Sequence, residues 1–297
     1  MNHPIKLHED IDLVGGDHCV LMLHGLGANA LELSRLAKDL HQAGLSVFAP
    51  NIPTYCFGSA CGTWQDWVEQ TQQYVWDLRK RYASVSVVGL SMGATLAMVL
   101  AQRERITSMV LLSTALAYDG WAIPWYSFLL NIADWLPFAK SYRYAEAEPY
   151  GIKNPEMRAM VKRAMSKDHI SESGADYLPF ENVSQGRLLI REARAHVHRI
   201  DCPTLFIHAA DDETVHMRNA EWAYKHIASE QKEFLYLGDS YHMITVDNER
   251  ETVNQETARF LKKTINDALD SPAFEVASIQ SAELRRLLRR RSNTPDR

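Results

Sequence analysis

The sequence predicts an α/β fold with a mostly parallel central sheet, helices on both of its faces and one inserted helical cap. Two observations carry this expectation. Short apolar runs, each too brief for a helix, alternate with stretches of helical periodicity from residue 18 to 113, and the alternation resumes at 204. In between, from about 115 to 190, it breaks into a long aromatic and polar stretch. With 297 residues and 46% apolar side chains, the chain can bury one large core that carries such an insertion, so two unrelated domains are not required.

Taken in order, the first run is His18-Cys19-Val20-Leu21-Met22-Leu23, closed by the glycines of His24-Gly25-Leu26-Gly27. Leucines and alanines at helical spacing follow over 31–43, Gly44 stops them, and 46–50 is the next short apolar run. The pattern repeats as a helix over 64–81, a strand over 85–89, a helix over 92–103 and a strand over 109–113. Strands joined by helices run parallel and are covered on both faces, so they read as continuous apolar runs. After the insertion, Asp201-Cys202-Pro203 announces a strand over 204–208. A last strand over 232–236 leads to a helix over 249–269. The expected division is a core of 1–114 and 191–270, a cap of 115–190 and a basic tail of 271–297.

Composition narrows the function classes. A formal charge of −5 and a pI near 6.2 leave no basic excess for a phosphate backbone, so nucleic acid is not an expected partner. Residues 1–6 carry no basic stretch leading into an apolar run, and the expected location is the cytoplasm. Four cysteines without a C-x-x-C pair suit neither a disulfide scaffold nor a zinc site. The stretch 121–139 is aromatic, but Pro124, Asn131, Asp134 and Pro137 interrupt it, which disfavours a membrane span. It can still touch lipid with one face. The tail, with Arg285, Arg286, Arg289, Arg290 and Arg291 among leucines, reads either as solvated chain or as a basic amphipathic helix for an acidic partner or anionic lipid.

The chemistry centres on Gly89-Leu90-Ser91-Met92-Gly93, a G-x-S-x-G pattern between an expected strand and an expected helix. A serine at so tight a turn projects its hydroxyl clear of the sheet, and the helix N-terminus beneath favours developing negative charge. The glycine-rich turn after the first run can aim a backbone N–H at the same place, so Leu26 and Met92 N–H are the natural oxyanion donors. A serine hydroxyl needs a base, and the base needs a carboxylate to orient it. The order serine, acid, histidine is met by Ser91, the loop holding Asp211 and Asp212, and His242, which alone of twelve histidines follows the last strand. His24 reads as structural for its turn and His208 as a packed residue ending a strand.

The motifs HGLG, GLSMG, CPTLFIHAADDETV and SYHMITVD, in this order across about 18–265, resemble a bacterial carboxylesterase of the α/β-hydrolase superfamily, in the branch that includes monoacylglycerol lipases. The resemblance implies an acid three residues after a glycine; Ala209 stands at the glycine position here, which gives Asp212, with Asp211 as the alternative. Tyr241 replaces the glycine commonly found before the histidine and narrows or lines the site. No metal or organic cofactor is implied.

The implied reaction is acyl transfer through Ser91 on a hydrophobic ester. The aromatics Trp121, Trp125, Phe128 and Trp135 of the insertion, with Tyr241, supply the apolar lining such a substrate needs. A thioesterase or acyltransferase would use the same triad, and a non-catalytic lipid-binding module of the same fold is the alternative from another class.

Overall fold

A computed structural model describes residues 9–120, 143–145, 148–168, 170–171, 174–175, 177–269 and 274. Its central sheet is built from β1 (Ile11–Leu13), β2 (His18–Leu23), β3 (Ser46–Ala49), β4 (Ser84–Leu90), β5 (Met109–Leu112), β10 (Thr204–Ala209) and β11 (Lys232–Leu237), in the order β1-β3-β2-β4-β5-β10-β11. Only β1 runs antiparallel to its neighbour; the other pairings are parallel. This is the mostly parallel sheet flanked by helices that the apolar runs predict.

Side chains alternate across each strand, so every strand feeds two cores. On one face Leu21, Val87, Leu111 and Phe206 pack against α2 (Trp64–Arg79), α3 (Met92–Ala101), α5 (Phe180–Ala195) and α6 (Arg218–His226). On the other, Val20, Val88, Val110 and Ile207 meet α1 (Ser34–Gln42) and α7 (Arg250–Asp267). The helices start and stop for local reasons. Thr63 caps α2 with a capping box, its Oγ1 accepting Asp66 N–H at 3.2 Å while the Asp66 carboxylate accepts Thr63 N–H at 2.8 Å. Gly44, at φ +92°, turns the chain out of α1.

Between β5 and β10 the described chain holds α4 (Pro155–Asp168), a small pair β7 (Ile170–Ser171) and β8 (Gly174–Ala175), and β6 (Arg143–Ala145) paired antiparallel with β9 (Tyr177–Pro179). None of these joins the central sheet. Residue 190, where the sequence places the end of the insertion, falls inside α5, whose Leu189, Ile190 and Ala193 lie in the same core as α3. No helix among the described residues is long and apolar enough to cross a membrane. Because β2, β4, β5, β10 and β11 are parallel, the loops leaving their carboxyl ends crowd one edge of the sheet, where α/β folds place their ligand crevices.

Candidate active site

At that edge the chain must pass from β4 into α3 within one residue, Ser91. Its backbone stands at φ 56° and ψ −116°, a conformation that costs a non-glycine residue on the order of 1–3 kcal/mol. The surroundings hold it there. Ser91 N–H donates to the Leu112 carbonyl at 2.8 Å, and its own carbonyl accepts from Ala94 and Ala115 N–H at 3.1 and 3.3 Å. The glycines of the pentapeptide are steric requirements: a Cβ on Gly89 would lie 2.3 Å from Gly93 O, and one on Gly93 2.2 Å from Leu23 O.

Ser91 Oγ lies 2.8 Å from His242 Nε2, and His242 Nδ1 lies 2.8 Å from Asp212 Oδ2. Since a carboxylate only accepts, Nδ1 carries the proton and Nε2 is left to accept from the serine hydroxyl. Asp212 Oδ1 accepts two backbone N–H groups, Thr214 at 3.0 Å and Val215 at 2.8 Å. Burial alone would push the Asp212 carboxyl up, but the charge of His242 and hydrogen bonds from His208 and His242 hold it well below the usual carboxylate range. It is therefore ionised at neutral pH. Asp211 instead faces outward, 3.2 Å from Lys153 Nζ.

His242 is held by its backbone as well as its ring. Its N–H donates to Glu213 Oε2 at 3.1 Å, and its carbonyl accepts from Ser113 Oγ at 2.7 Å and Ile244 N–H at 2.9 Å. Burial raises the Glu213 carboxyl above its ordinary range, the Asp212 charge adding to this and His242 opposing it. The loop carrying His242 is pinned by two further carboxylates. Asp247 accepts from Tyr241, Lys153 and Asn154 N–H, and Glu249 accepts from Gly238 and Asp239 N–H and from Ser240 Oγ.

The turn after β2 is clamped in the same manner. His24 Nδ1 donates to Gly25 O at 2.8 Å, leaving Nε2 to accept Ile52 N–H at 3.3 Å. Burial holds this ring well below the usual imidazole range, at about 4, so it stays neutral. Glu32 Oε2 accepts Gly25 N–H at 2.8 Å; Tyr55 donates its hydroxyl to His24 O at 3.1 Å and accepts Gly27 N–H on its own carbonyl. Among the described residues, the N–H groups of Leu26 and Met92 have no acceptor. Above them lies α5, close enough that a Cβ on Gly186 would be 3.1 Å from Leu26 Cδ2 and 3.2 Å from Met92 Cε.

The family model described as "Serine aminopeptidase, S33" matches residues 16–250. The chain belongs to this serine hydrolase family. Proteins similar to it include the thermostable monoacylglycerol lipase of Bacillus sp. (strain H-257), 27% identical over 249 residues that span 82% of this chain and 90% of the relative. The carboxylesterase of Bacillus subtilis (strain 168) is 24% identical over 255 residues, 84% and 94% of the two chains. Among solved structures, one of the metagenome-derived lipolytic enzymes LipS and LipT superposes with a TM-score of 0.73 at 23% identity, over 88% of this chain and all of the other. The monoacylglycerol lipase of Paleococcus ferrophilus superposes at 0.72 and 17% identity, over 86% and 98%. The fold is thus the α/β-hydrolase fold that the motifs imply.

In this S33-family chain the structure brings together Ser91, Asp212 and His242 from three different loops, with Met92 next to Ser91 at the head of α3 and the side chains of Leu26 and Met92 both against Gly186. Tyr241, also expected at the site, is half-buried next to His242, with Lys153 Nζ 5.6 Å from its ring centroid. Trp121, Trp125, Phe128 and Trp135 lie outside the described residues, as does the arginine-rich tail. Sequence reasoning misses the residues that hold the site: Glu32, Tyr55, Ser113, Glu213 and Asp247. Glu32 had a readable signal, a charge enclosed by Leu31 and Leu33. Tyr55 and Ser113 had none, because their partners are distant in the chain.

Proposed function

We propose that the protein is a serine carboxylesterase of lipase type, which hydrolyses a hydrophobic carboxylic ester, with a monoacylglycerol as the leading candidate, through an acyl-enzyme on Ser91. The observation that carries this is the unbroken relay of Ser91 Oγ, His242 and Asp212 at a strained turn. The names of the lipase and carboxylesterase relatives support the ester as substrate.

Ser91 Oγ attacks the ester carbonyl carbon while His242 Nε2 takes its proton, and Asp212 stabilises the imidazolium that forms. The carbonyl oxygen becomes an oxyanion and is held by Leu26 and Met92 N–H. As the carbon–oxygen bond to the alcohol breaks, His242 returns its proton to the leaving oxygen. Water then enters, gives a proton to His242 and attacks the acyl carbonyl; the second tetrahedral species expels Ser91, which recovers the proton, and the acid departs. Residues 115–190 act as the cap, with Trp121, Trp125, Phe128, Trp135 and Tyr241 lining the acyl site. The cap or the basic tail gives peripheral contact with lipid for a cytoplasmic enzyme.

The test is hydrolysis of p-nitrophenyl esters of increasing acyl length by the wild type and by Ser91→Ala. Turnover that favours medium or long chains and disappears in Ser91→Ala is the expected result. Absence of turnover at every length would remove ester hydrolysis as the function.

A further inference from the structure

His208 sits in β10, fully buried and on the same sheet face as Phe206. Its Nε2 lies 3.1 Å from Asp212 Oδ2 and 3.0 Å from the Val215 carbonyl oxygen. Both neighbours are acceptors, so the ring proton belongs on Nε2. Nδ1 is buried with no partner among the described residues. A second proton there would be a buried donor without an acceptor among the described residues.

Asp212 Oδ2 accepts the His242 Nδ1–H and stands 3.1 Å from His208 Nε2, whose N–H it shares with the Val215 carbonyl, while Oδ1 accepts two backbone N–H groups. Val215 closes the arrangement, since its carbonyl accepts from His208 and its N–H donates to Asp212. The ring is anchored to the same short loop that carries the carboxylate. A residue present only to fill space would not need a polar ring there, and the unpaired Nδ1 makes that ring a cost to stability.

On the reading of Ser91, His242 and Asp212 as a catalytic triad, we propose that His208 is its fourth member, a positioning residue. Its Nε2–H orients the Asp212 carboxylate and draws off part of its charge, and so sets how strongly Asp212 holds the His242 imidazolium.

The direction of the effect follows from charge. Without the second imidazole donor, the carboxylate is more basic. It then either grips the His242 imidazolium more tightly or takes a proton itself at higher pH, and in both cases the active ionisation state appears at higher pH. The other titratable groups here are few. Glu213, next in the loop, faces the His242 backbone N–H; Asp119, from the loop after β5, is taken up by Arg218, Asn219 and His216 N–H; Tyr236, beside His208 on β11, donates to Glu221.

The experiment measures the rate at which a fluorophosphonate probe modifies Ser91 across pH, for the wild type, His208→Leu and His208→Gln, with the melting temperature of each. Glutamine can place an amide N–H near the position of Nε2; leucine cannot. His208→Leu is expected to react roughly 10- to 100-fold more slowly at neutral pH, by analogy with the loss of an outer hydrogen-bond partner of a metal ligand. The midpoint of its acid limb should move up by about one pH unit, and His208→Gln should recover most of both. A His208→Leu protein with wild-type rate and midpoint, or leucine and glutamine variants equally slow with an unmoved midpoint, would leave His208 a packing residue only. Should His208→Leu fail to fold, nitrogen-15 spectra of the wild-type ring decide: a neutral Nε2–H tautomer is expected, and a proton on Nδ1 overturns the proposal. A wild type that does not react at all would instead overturn the parent reading of Ser91, and His208 with it.

Discussion

At the scale of single residues, the site is a set of buried charges and strained backbone made tolerable by hydrogen bonds. Asp212 and Asp211 are adjacent yet opposite in environment, one enclosed under His242, the other 59% exposed at its side chain beside Lys153. Asp212→Asn removes the acceptor that fixes the His242 tautomer, and kcat should fall by roughly 10⁴-fold with little change in KM. Asp211→Asn should remain within a few fold of wild type, and steady-state kinetics of the two variants separate them. His24 makes a second prediction, on stability. The unfolded ring titrates at 6.5 and the folded one at about 4, so between these values the unfolded chain binds more protons. The stability tied to neutral His24 is present above about pH 6.5 and is lost as pH falls towards 4. From pH 6.5 to about pH 5 this amounts to about 2 kcal/mol. Urea unfolding should show that slope in the wild type and a flatter one in His24→Gln; equal slopes would mean that His24 is charged in the folded protein.

Among the elements, β2, β4, β5 and β10 are legible in the sequence because a parallel strand covered on both faces shows a nearly continuous apolar run. β1 is not, since three residues at a sheet edge carry too little pattern. The helix α5 is hidden for another reason: it straddles the expected end of the insertion, and its packing beside α3 and α2 ties it to the main core. The contact of α5 with the site suggests a comparison of two glycines. A Cβ on Gly93 meets backbone, Leu23 O at 2.2 Å and His24 O at 2.5 Å, whereas one on Gly186 meets only the ends of the Leu26 and Met92 side chains. Gly93→Ala should destabilise by more than about 3 kcal/mol, because backbone must move. Gly186→Ala should stay within about 1 kcal/mol of wild type, since flexible ends can shift and alanine favours the helix. Thermal unfolding of the pair checks both.

Across the whole molecule, the groups proposed to react come from loops after β2, β4, β10 and β11, which the parallel topology gathers at one sheet edge. That gathering explains why Ser91, His242 and the Asp211–Asp212 loop could be read from chain order alone. The choice of Asp212, by contrast, becomes physical only when His208, His242 and two backbone N–H groups converge on one carboxylate. Two clamps on the flanking turns are invisible in sequence because they join segments far apart, Tyr55 with His24 and Ser113 with His242.

The central claim is that Ser91 carries the acyl group during turnover. The most direct measurement mixes the wild-type protein with a p-nitrophenyl ester, quenches it in acid before the first turnover completes and locates added mass by peptide mapping. An acyl adduct on the peptide containing Ser91, forming with a burst of p-nitrophenol and then decaying, is the predicted result. Turnover of the ester with no adduct on that peptide at any quench time would contradict it.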